Sequence, residues 1–129
     1  MKVLNYIHGE FVEPESDNWM DNLSPSTGDV IGSIPLSDER DVGNAVSAAV
    51  AALPQWSGLE PLERAGWLEK IADCLESRFE EIAYLESLDT GKPISLSRSV
   101  DAKRPVSNFR FFSELIRNLD EEVFEMEDA

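Results

Sequence analysis

Between Pro35 and Asp38 the chain changes its hydrophobic period, and that change bounds what it can fold into. Before it, short apolar stretches alternate with turn residues. After it, apolar residues recur at steps of three and four, the period of a helix face. This pattern predicts an α+β fold, two N-terminal β-hairpins followed by about four helices.

Residues 1–36 carry the hairpins. "NYI" and "EFV" flank His8-Gly9, a separation that suits a tight turn. "NWMDNL" and "VIGSIP" flank "SPSTGD", where Pro25, Gly28 and Asp29 are turn formers, and Pro35 closes the section. Residues 37–118 read as helices. Val42, Val46, Ala49 and Leu53 share one face of the first; Ser37 or Asp38 is placed to cap it, and Pro54 with Gly58 is expected to stop it. The next segment opens at Glu60-Pro61, with proline where its missing N–H is harmless. Ala65, Leu68, Ala72, Leu75, Phe79, Ile82 and Leu85 form one long stripe, widened by Trp67, Ile71 and Cys74. That width suits a helix buried between layers. A break near Ser77 would divide the segment, and the pattern leaves both forms open. Gly91 and Pro93 end it. A last helix over Ile94 to Asn118, kinked or restarted at Pro105, puts Phe109, Phe112 and Ile116 on one face with Phe111 and Leu115 beside it. Residues 119–129 form an acidic tail, frayed or extended.

Bulk composition narrows the partners. A length of 129 residues suits one domain with a modest core. Eleven Lys and Arg against 26 Asp and Glu give a net charge of −15, a field that repels phosphate backbones and anionic lipid surfaces. Nucleic acid and membrane are therefore not expected partners. A single cysteine allows no internal disulfide. "MKVLNYIHGEFVEPE" has no uninterrupted apolar run of the kind a signal peptide needs, so a cytoplasmic location is expected.

The stretch "LDTGKP", residues 88–93, invites a phosphate-loop reading and fails it on spacing. No glycine lies five residues before Gly91, and Pro93 follows the lysine where the loop motif has serine or threonine. A helix stop is the better local reading. Cys74 falls within the apolar stripe between acidic neighbours Asp73 and Glu76, which predicts a buried, inert thiol rather than a nucleophile. His8 has no partner with metal-ligand spacing and reads as a turn residue. Glu80-Glu81 and Glu121-Glu122 are adjacent carboxylates that point in different directions and suit solvated surfaces. Trp19, Trp56 and Trp67 are spread along the chain, as packing residues are. No nucleophile, base and orienting group converge, so no catalytic residue is assigned.

Five stretches, in order, resemble the N-terminal section of the aldehyde dehydrogenase superfamily: "YIHGEFV", "SPSTGDVIGSIP", "DVGNAVSAAVAALPQWS", "ERAGWLEKIADCLESRFEEIAYLESLDTGKP" and "NFRFF". "SVDAKRPVSNFRFF" is similar to the muconic-semialdehyde branch. Ser24 stands where the family's "NPxTG" turn has asparagine, and serine can still make the local turn hydrogen bond. The resemblance implies the opening part of a Rossmann-like NAD-binding domain, with NAD or NADP as cofactor of the complete enzyme and none for this chain alone. It also implies a monovalent cation, sodium or potassium, held by main-chain oxygen around Asn22 and Leu23 and by Asp89. The family's "PWN" motif, cofactor-contacting lysine, glutamate base and thiol nucleophile all lie downstream of the residues matched. The implied partner is the remainder of such a chain, or a second copy. A reading independent of the resemblance is a non-enzymatic acidic helical module that binds through exposed apolar stripes.

Overall fold

A computed structural model of the chain describes residues 1–118; the acidic tail expected over 119–129 lies outside the described residues. The fold is α+β, two antiparallel hairpins followed by helices. Strand β1 (Asn5–Ile7) pairs with β2 (Glu10–Val12). His8 and Gly9 between them both have positive φ, 55° and 82°, the sign pattern of the turn whose twist matches a two-residue hairpin. Strand β3 (Trp19–Leu23) pairs with β4 (Val30–Pro35), and a bulge falls between Asn22 and Leu23.

Helix α1 (Glu39–Ser57) begins at an Asp38 cap. The Asp38 carboxylate accepts from the Arg40 N–H, while Asp41 three positions on accepts from the Asp38 N–H at 2.8 Å. The other Asp41 oxygen takes the Glu15 N–H at 3.0 Å, so this buried carboxylate ties the helix start to the strand section. The Arg40 guanidinium holds the Asp38 carboxyl below its ordinary value. The helix ends at Ser57 with Gly58 as its C-cap, as expected, and Pro54 lies inside the last turn. Proline there has no N–H to return to the preceding turn, and the Gly58 N–H closes the last turn onto the Pro54 carbonyl at 3.1 Å.

The long segment divides at Arg78 into α2 (Pro61–Ser77) and α3 (Phe79–Thr90). The last helical region begins with a short turn, α4 (Ile94–Leu96), passes through a π-helical turn over Ser97–Asp101, and restarts as α5 (Lys103–Asn118). The restart expected at Pro105 is therefore present, with the irregular turn just before it. Pro105 sits in the first turn of α5, where its missing N–H has no intrahelical partner to lose.

Helices α2 and α5 form the main packing unit. Ala65 and Ala72 on α2 and Ser113 on α5 have no exposed surface, and the Ser113 hydroxyl donates to the Ala65 carbonyl at 2.9 Å. Across the exposed rim of this contact, Arg110 reaches Glu76 at 2.7 Å and Asp73 at 3.2 Å.

Two expected faces differ from the observed ones. The buried line of α5 contains Val106 and Ser113, whereas Phe112 is 52% exposed and stacks edge-on against Phe111 instead. On α2, the stripe of Ala65 and Ala72 is buried, but Trp67, Ile71 and Cys74 lie on the opposite side and face solvent. The apolar positions of α2 exceed one helix contact, so α5 covers only half of them. Helix α1 is barer still: Val42, Val46, Val50 and Leu53 are 59%, 56%, 62% and 57% exposed.

Cys74 is thus corrected from buried to exposed. In the 129-residue chain it should react with a thiol reagent at a rate close to that of a small-molecule thiol, with little acceleration on adding denaturant. Slow labelling of the native chain, restored to full rate by urea, would show that the Trp67–Ile71–Cys74 face is covered.

Candidate functional site

"LDTGKP" forms the C-terminus of α3 and the link to α4, and the structure brings three separate elements together around it. Gly91 adopts the left-handed cap conformation, φ 73°, and its N–H returns to the Ser87 carbonyl at 3.0 Å. A side chain at Gly91 would meet the Cβ of Pro25 at 3.1 Å and the Ser26 hydroxyl at 3.4 Å, so the "SPSTGD" turn is packed directly onto the helix stop. Glycine is required there on two grounds, backbone conformation and space.

Asn22 at the β3 bulge donates its side-chain amide to Asp89 Oδ1 at 2.7 Å. Two of the three residues proposed for a cation are therefore in contact, across 67 positions of sequence. Leu23 follows in β3, pairs with Val30 and carries an exposed side chain. Asp89, an exposed carboxylate near helix-end carbonyls, is electrostatically unfavourable on its own. The Asn22 donor offsets it, and its second oxygen points to no donor among the described residues. No group of three or more His, Cys, Asp or Glu among the described residues could hold a metal ion.

Lys92 has a structural assignment. Its ammonium lies 2.8 Å from Glu86 on α3 and 3.1 Å from Asp101 in the π-helical turn. The Glu86 carboxylate, then that of Asp101, raises the Lys92 pKa above its ordinary value. A lysine held by two carboxylates is not presented to a phosphate, which agrees with the helix-stop reading. His8 sits in its turn as expected.

Sequence reasoning missed the Lys92 pair, Asp41 and Ser113. Asp41 had an available signal, the Asp38-x-x-Asp41 spacing of a capping box. Lys92 and Asp101 had none, since their spacing matches no regular helix pairing. Ser113 reads as surface because its burial depends on Ala65, 48 residues away.

This order of hairpins, helices and helix stop recurs in solved aldehyde dehydrogenases. The PnpE structure in complex with nicotinamide adenine dinucleotide superposes with a TM-score of 0.92 at 38% identity, covering 98% of this chain and 26% of that one. The chain belongs to the aldehyde dehydrogenase family, whose model matches residues 11–129. It is 42% identical to the 2-aminomuconic semialdehyde dehydrogenase of Bos taurus over 95% of its length, and 37% identical to the 2-hydroxymuconic semialdehyde dehydrogenase of Pseudomonas sp. (strain CF600) over 97%. It spans only 25% and 26% of those two relatives' own lengths.

Gly91→Ala should lower the unfolding free energy by about 1–2 kcal/mol from the left-handed conformation alone, with more from the Pro25 contact. Urea denaturation of the two chains measures the difference, and an unchanged midpoint would show that the two turns are not docked. Lys92 makes a second prediction. Its folded pKa lies above the unfolded one, so its contribution is full below the unfolded value, about 10.4, and is lost as pH rises through the folded value. Thermal melts from pH 8 upward should show an alkaline loss of stability that Lys92→Met reduces.

Proposed function

We propose that these residues serve as the opening section of an NAD- or NADP-dependent aldehyde dehydrogenase that oxidises an aldehyde or semialdehyde to its acid, with a muconic-type semialdehyde as the substrate class. The observation that carries this reading is the match to two muconic semialdehyde dehydrogenases over 95% and 97% of the chain. By resemblance, the thiol that attacks the aldehyde and the glutamate base lie in length that this chain does not span. In such a complete chain a bound nicotinamide cofactor would supply the hydride acceptor. The residues present here scaffold: the α2–α5 pair, the docked turn and the helix stop hold their elements in the arrangement of the solved relatives. No catalytic or cofactor-contacting role is proposed for any of them, Cys74 included.

The uncovered apolar positions support the same reading. Helix α1 has no charged residue from Val42 to Gly58, in a chain of net charge −15, and its main packing neighbour among the described elements is β1. A surface of that kind needs a cover, and the remaining length of a family chain is the cover proposed. The same exposed face also favours the second reading, a non-enzymatic acidic module that binds another protein. An in-frame continuation encoding a "PWN" motif and a catalytic cysteine distinguishes the two.

The isolated 129-residue chain should not turn over aldehyde with NAD or NADP. Co-expression with the remaining three quarters of a family chain should yield nicotinamide reduction and protect Cys74 from labelling. Turnover by the isolated chain would refute the assignment, and a sharp, cooperative melt unaffected by the added segment would favour the binding module.

For the cation, we propose that main-chain oxygen at Asn22 and Leu23 and the Asp89 carboxylate hold sodium or potassium. At constant ionic strength, replacing tetramethylammonium by sodium or potassium should raise the melting temperature, and Asp89→Ala should abolish the rise. An unchanged wild-type melt in both salts sinks the site in this chain.

A further inference from the structure

We draw no further inference here: the strongest candidate, the uncharged apolar face of α1 formed by Val42, Val46, Val50 and Leu53, is an unpartnered surface, and nothing in the structure shows what covers it beyond the family chain already invoked.

Discussion

The helical half of this chain depends on how closely α2 and α5 approach one another. Ala65, Ala72 and Ser113 leave no side-chain bulk between the two backbones, and the distance is short enough for the Ser113 hydroxyl to reach the Ala65 carbonyl. Larger residues would hold the axes apart and break that hydrogen bond. They would also move Arg110 away from Glu76 and Asp73. These two carboxylates, Glu76 first, raise the Arg110 pKa, so the guanidinium stays charged. All of these groups are partly exposed, so the pairing orients α5 on α2 more than it stabilises the contact. The small residues set the geometry, and the ion pairs follow from it.

A second junction joins this half to the hairpins, and it is built almost entirely at residues 88–93. Gly91 receives the Pro25 turn, Asp89 receives the Asn22 amide, and Lys92 reaches forward to Asp101. One helix stop therefore fixes the preceding hairpin, its own helix and the segment that follows. A glycine and a lysine after threonine look locally like phosphate chemistry. Their partners here are a proline ring and two carboxylates, and the partners decide the role.

The parts of this fold legible in the sequence are those whose causes are local. The His8-Gly9 turn, the α1 cap, the Glu60-Pro61 start and the Gly91 stop each need only a few neighbouring residues, and each lies where the pattern places it. Pro54 lies inside the last turn of α1, and it is Gly58, the other residue of that expected stop, that caps the helix. Of the candidate site, the pairing of Asn22 with Asp89 was accessible through resemblance alone. No local rule connects residues 67 positions apart, and the bulge between Asn22 and Leu23 has no sequence signature. Lys92 and Ser113 escaped for the same reason, since their partners arrive by tertiary folding.

The exposed faces show what hydrophobic periodicity actually reports. The stripes through Val42, Val46 and Leu53 and through Trp67 and Ile71 have correct helical spacing, and helices do form there. Burial does not follow, because period is a property of one helix whereas burial requires a second surface. Within α2 the two cases stand side by side. Its Ala65–Ala72 face finds α5 and disappears from solvent, while Trp67, Ile71 and Cys74 on its other face stay exposed. Elsewhere the chain is richly charged, with 26 acidic residues. Charge is instead absent from Val42 to Gly58, the stretch with the least cover. Exposed apolar faces of this kind are consistent with the proposal that these helices pack against the remaining length of a family chain, of which this one spans a quarter.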